Sequence, residues 1–173
     1  DVNSTNVNAV TLNATGIASS TGAITFATGA SVFNDSLTAN ATQGISDSVD
    51  ITSTTGAITL NGDSNNSNDP GTDALSFTGT RTLKAATDMT LSAFNGGISA
   101  ADLTLTIDSD NNGTNTLNIN DALTTTGLLL INPGSGAGTN DTVNLKADIT
   151  AGTTLTITNA ATVDLAGNVD VKT

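Results

Sequence analysis

The chain has 173 residues, and its 16 acids are all Asp, set against only 4 Lys and Arg, for a net charge of −12. It has no Cys, His, Trp or Tyr, which removes disulfide and thiol chemistry. The charge balance excludes nucleic acid, which needs clustered cations, and attraction to an anionic membrane surface.

Glu is absent, and Gln and Met occur once each, whereas Thr, Asn, Gly, Asp, Val and Ile are abundant. Strand and turn formers have replaced helix formers, so the chain reads as all-β. Its length suits one domain, 1–173, with a real core. No apolar run approaches the ~20 residues that span a bilayer. The chain opens on polar Asp1-Val2-Asn3-Ser4 rather than on a signal sequence, as a mature form or a segment of a longer repetitive chain would.

In chain order, short alternating triplets mark half-buried strands. They are Val10-Thr11-Leu12, Ile24-Thr25-Phe26, Val49-Asp50-Ile51, Ile58-Thr59-Leu60 and Leu75-Ser76-Phe77. Met89-Thr90-Leu91, Leu117-Asn118-Ile119, Val143-Asn144-Leu145 and Val169-Asp170-Val171 follow. Three apolar series advance by 26 residues: Ile51, Phe77, Leu103, Leu129, Leu155; then Leu105, Ile131, Ile157; then Leu91, Leu117, Val143, Val169. "STGAITF" (20–26) returns as "TTGAITL" (54–60), a step of 34, as if one coil carried a longer loop.

A fixed period of this size signals a repeat architecture. Each period holds two or three strands and no helix, so it buries its apolar side only by stacking as a coil of a parallel β-helix, about 26 residues per coil. Between six and seven coils would make a rod on the order of 30 Å long. A pair of small β-sandwiches is the competing fold. Sandwich strands pair antiparallel and need not keep one spacing.

With their Asn, Thr and Gly, the stretches "GAITL", "TLTIT" and "VDLAGNVDV" resemble secreted β-solenoid exoproteins. These are filamentous-haemagglutinin-like adhesins of two-partner secretion and autotransporter passengers. The resemblance is compositional and periodic. It implies a right-handed coil, a secreted or cell-surface location, and adhesion or matrix building, with cell-surface glycans as candidate partners; it carries over no catalytic residue.

Two polar stretches are candidate calcium sites. Asp108, Asp110 and Asn112, with Gly113 after them, match the opening of a calcium loop. Ile119 stands where the bidentate Glu belongs, so an EF-hand is excluded. A looser calcium site completed by carbonyls and water, or a plain corner capped by Asx side chains, are the two readings. The "NGDSNNSNDPGTD" loop, 61–73, offers Asp63, Asp69 and Asp73, either as a calcium-ordered or receptor-contact loop or as a solvated insertion. No other cofactor is expected.

Two interfaces are expected. "GLLLIN" (127–132) places Leu128 and Leu130 outward if Leu129 and Ile131 point inward, suggesting cover by a loop or a partner. Val169 and Val171 hold repeat register near the C-terminus, so further coils or a second copy would stack there end to end. Outward Thr104/Thr106 and Thr154/Thr156/Thr158 suggest an ice-binding array, but Leu130 and Asn132 interrupt it. Polysaccharide binding or cleavage, the other alternative, is short of support: Arg81 and Lys84 are the only close basic pair, and no Trp or Tyr offers a sugar platform. The chain therefore reads as structural, a stalk or a self-assembling extracellular fibre, and not as an enzyme.

Overall fold

The structure is a computed structural model; it describes residues 8–16, 22–68, 73–111, 113–134 and 140–173. These hold eighteen strands and no helix, so no helix is long and apolar enough to cross a membrane. The strands are β1 (Val10–Ala14), β2 (Ile24–Phe26), β3 (Ser31–Phe33), β4 (Leu37–Ala41), β5 (Ile45–Asp47), β6 (Ile51–Ser53), β7 (Ile58–Asn61), β8 (Leu75–Lys84) and β9 (Met89–Ser92). The second half continues with β10 (Ile98–Thr106), β11 (Thr116–Ile119), β12 (Leu123–Thr125), β13 (Leu128–Asn132), β14 (Thr142–Leu145), β15 (Ile149–Ala151), β16 (Thr154–Ile157), β17 (Thr162–Leu165) and β18 (Val171–Lys172).

They form two sheets. A seven-stranded sheet runs β1-β4-β7-β9-β11-β14-β17, and an eleven-stranded sheet runs β18-β15-β12-β10-β8-β5-β2 with β3, β6, β13 and β16 attached beside that path. All strand pairs among the described residues are parallel, for example β1 with β4, β10 with β13 and β14 with β17. That rules out the antiparallel pairing of a sandwich and is consistent with a β-helix, in which each pass of the chain stacks on the one before.

Alternation sends one side of every strand into the space between the sheets. In the seven-stranded sheet two unbroken apolar columns result. One is Val10, Leu37, Ile58, Met89, Leu117, Val143 and Val163; the other is Leu12, Ala39, Leu60, Leu91, Ile119, Leu145 and Leu165. Leu103, Leu129 and Leu155 also stack, as do Leu105, Ile131 and Ile157.

Other parts of the even period fail. Ile51 pairs with Leu83, while Phe77 pairs with Asp47 and Ala100, and Leu103 faces Arg81. The cause is the chain between β7 and β8, together with a register shift between Ala100 and Asp102 in the β8–β10 pair. Leu91 lies beside Ile119, not Leu117, and Val143 beside Val163, not Val169. Corner lengths differ: residues 133–141 separate β13 from β14, but only 158–161 separate β16 from β17. The "GAIT" echo is not a repeat either, because Ile24-Thr25-Phe26 belongs to the eleven-stranded sheet and Ile58-Thr59-Leu60 to the seven-stranded one.

Candidate functional site

Asp and Asn do two jobs at the corners. Asn66, Asp73, Asp108, Asn111, Asn159 and Asn168 all have positive φ, the left-handed region these side chains tolerate best among non-glycine residues. Asp108 therefore sits in the 108–113 turn for backbone reasons, whatever else it does.

The second job joins passes of the chain. The Thr82 N–H donates to Asp50 Oδ1 at 2.9 Å, and the Thr116 N–H to Asp88 Oδ1 at 2.7 Å. The Leu128 N–H donates to Asp102 Oδ1 at 2.7 Å, and the Asn115 N–H to Asp141 Oδ1 at 2.9 Å. Asp121 accepts from the Ala93 N–H at 2.8 Å, and Asp148 from that of Asp170 at 2.9 Å. Partners lie between 22 and 32 residues apart, one pass along. Asp102 reaches both ways, since Oδ2 also accepts from the Thr80 hydroxyl at 3.0 Å.

A carboxylate with one methylene spans the ~4.8 Å between adjacent strands with little rotamer entropy to lose, while the longer Glu loses more. These staples were not foreseen from sequence. The signal was there: sixteen Asp and no Glu is a bias that solvation alone does not explain.

The two proposed calcium sites look different in space. Asp108 is fully buried and Asp110 exposed; Asn112 lies outside the described residues. Gly134, one pass later, presses on this turn so closely that a Cβ there would stand 2.5 Å from both Asp108 O and Oδ2. A polar cleft of about 170 Å³ opens beside it, lined by Lys84, Thr106, Asp108, Asn111 and Asn132 among others. In the other loop Asp63 and Asp73 are buried, and Asp69 lies outside the described residues. Asp63 Oδ2 accepts from the Asn95 N–H at 3.1 Å and its side-chain amide at 2.7 Å, tying the start of the loop to the next pass, while residues 65–68 are exposed. Among the described residues no group of three or more acidic side chains converges where a metal ion would sit.

Asp47 is unlike the rest. It points inward, fully buried, stacked between Phe26 and Phe77. Oδ1 accepts from the Val49 N–H at 3.0 Å, and Oδ2 has no protein partner. Burial pushes its pKa up from 3.8 to about 6, against the opposing pull of the Val49 hydrogen bond and of Arg81.

Of the interface candidates, Leu128 and Leu130 lie on the outer side of β13 and are half-buried; Leu130 sits between Thr104 and Thr156. Val169 is in the turn after β17, half-buried, and Val171 is exposed in β18. Val163 and Leu165, at the ends of the two aliphatic columns, are 43% and 55% exposed. Comparison of the chain with protein-family models, curated proteins and solved structures found no match.

Proposed function

We propose that the chain is a structural segment of a secreted or cell-surface β-solenoid, a right-handed parallel β-helix that forms an adhesin stalk or an extracellular fibre. The observation that carries this reading is the parallel pairing of the described strands in both sheets, with stacked apolar columns between them. The right-handed sense is taken from the strong preference of parallel crossovers for it; pairing steps run from 20 to 32 residues. Backbone ladders, the aliphatic columns and the Asp staples together give a stiff rod whose load path is covalent along each coil and hydrogen-bonded between coils.

Val163, Leu165 and Val171 are exposed apolar side chains on which another layer, from further coils or a second copy, would stack. An added coil pairs a whole strand edge at once, whereas half-buried Leu128 and Leu130 offer only a small lateral contact. The net charge of −12 opposes side-to-side contact at low salt. Electron microscopy of the purified chain tests this directly. Rods about one coil wide that lengthen with concentration are expected; compact particles without axial growth at any concentration or ionic strength contradict the fibre form, and a globular outline contradicts the rod itself.

A further inference from the structure

The outer face of the seven-stranded sheet carries two polar columns in fixed register. Thr11, Thr38, Thr59, Thr90, Asn118 and Asn144 form one. Asn13, Asn40, Asn61 and Ser92 form the other, which Asn120 extends by donating from its amide to Ser92 Oγ at 2.8 Å. Asp164, paired with Asn144, puts an acid at the β17 end of the first column; from β1 through β11 neither column contains a charged residue, in a chain of net charge −12. No register shift interrupts this sheet, whereas the β8–β10 pair of the other sheet has one.

The array is also rigid. Thr is stiff about χ1 because it is branched at Cβ. The Asn side chains are cross-braced: Asn40 Nδ2 donates to Asn13 Oδ1 at 2.9 Å, and Asn144 Nδ2 to Asn118 Oδ1 at 3.0 Å. The hydroxyls of Thr11, Thr38, Thr59 and Thr90 have no protein partner among the described residues, and each stands beside its own methyl group. The outcome is a grid of neutral donors, acceptors and methyls, spaced about 4.8 Å across strands and about 6.6 Å along them.

We propose that this face binds ice. A grid repeated over several rungs rewards a partner that is itself a repeating lattice, because every rung then makes the same contact and many weak water contacts add up. Lack of charge matters for the same reason: a charged side chain orients water around itself and would hold a shell that the lattice cannot adopt. A soluble glycan is the poorer fit, since the face has no aromatic platform. Phe26, Phe33 and Phe77 are buried, and the one exposed ring among the described residues, Phe94, lies in the turn that follows β9. The Thr104/Leu130/Thr156 rung of the other sheet is broken by leucine, so the two faces differ within one molecule.

The test is to grow ice slowly from a solution of the full chain and measure how far the protein enters the solid, with inhibition of recrystallisation as the second readout. The wild-type chain should be enriched in ice and should hold small crystals small. The double variant Thr38→Lys/Thr59→Lys should lose both activities, and Thr124→Lys on the exposed side of the other sheet should keep them. Circular dichroism establishes that each variant is folded. Should the Lys pair not fold, Thr38→Val/Thr59→Val keeps the shape, removes the hydroxyls and should weaken both readouts. Exclusion of the wild-type chain from ice overturns the proposal, as does equal activity in the folded face variants. Retention on crystalline cellulose without entry into ice would assign the face to a glycan instead and overturn it equally.

Discussion

Two neighbouring inward columns of the eleven-stranded sheet are built on the same strands, two residues apart, and have opposite characters. One is aliphatic throughout: Ile24, Ile45, Leu75, Ile98, Leu123, Ile149 and Val171. The other reads Phe26, Asp47, Phe77, Ala100, Thr125 and Ala151. Backbone alternation sends both inward regardless of chemistry. The first column gains from like stacking on like, while the second alternates large and small side chains and tolerates an acid and a hydroxyl. Thr125 manages this by donating to Gly127 O at 3.0 Å; Asp47 manages it only in part, with one oxygen unsatisfied. Packing in such a stack is therefore decided by register, which sets each residue's vertical neighbours.

The largest effect is expected in the aliphatic column. Leu123→Asp puts a charge where exposure is 0%, between Ile98 and Ile149, at a cost of about 4 kcal/mol or more. Chemical denaturation should show a chain close to unfolded in water; a midpoint near that of wild type would remove the dry column from the account.

Asp47→Asn should act in the other direction. Because the folded state raises the pKa from 3.8 to about 6, folding is favoured by the protonated form. The associated stability is fully present below about pH 4 and is lost as pH rises through about 6. Above that the ionised, buried carboxylate costs on the order of 3 kcal/mol. Asn keeps the acceptor for the Val49 N–H without the charge, so it should stabilise the protein by up to about that amount at pH 8 and by little at pH 4. Equal effects at both values would show that Asp47 is solvated.

Acids on the edge should behave as the reverse of the one inside. Asp102→Ala removes acceptors for both Leu128 N–H and the Thr80 hydroxyl, and should destabilise by about 2 kcal/mol; Asp102→Asn, which keeps one acceptor, should recover part of it in thermal melts. The smallest effect is expected where the aliphatic column runs out. Val171 is 39% exposed, and Val171→Asp in the isolated chain should change stability by less than about 1 kcal/mol.

Much of this fold was legible because alternation and Gly/Asn/Asp punctuation are local signals. Leu103, Leu129 and Leu155 are separated by corners of matched length, and their column was read directly. An even period sets Ile51 over Phe77, but Ile51 pairs with Leu83, because register accumulates the length of every intervening corner and the chain from 61 to 74 adds residues that a period cannot anticipate. The polar residues were harder. Asp63, in the candidate calcium loop, also accepts from Asn95 one pass on, a contact that no local pattern announces. Likewise, the Thr and Asn columns of the seven-stranded sheet repeat at uneven steps, with Thr59 paired to Thr90 and Thr90 to Asn118, so no fixed spacing exposed them.

Stacking in this particular register is the central claim, and a cysteine-free chain makes it directly measurable. Thr52 pairs with Lys84 across β6 and β8, while an even period of 26 would instead place Thr52 beside Thr78. Adjacent parallel strands bring Cα atoms to about 4.8 Å, within disulfide range. On mild oxidation, Thr52→Cys/Lys84→Cys should close an intrachain disulfide in high yield and Thr52→Cys/Thr78→Cys should not. Cross-linking of the second pair, or of neither, would contradict the account.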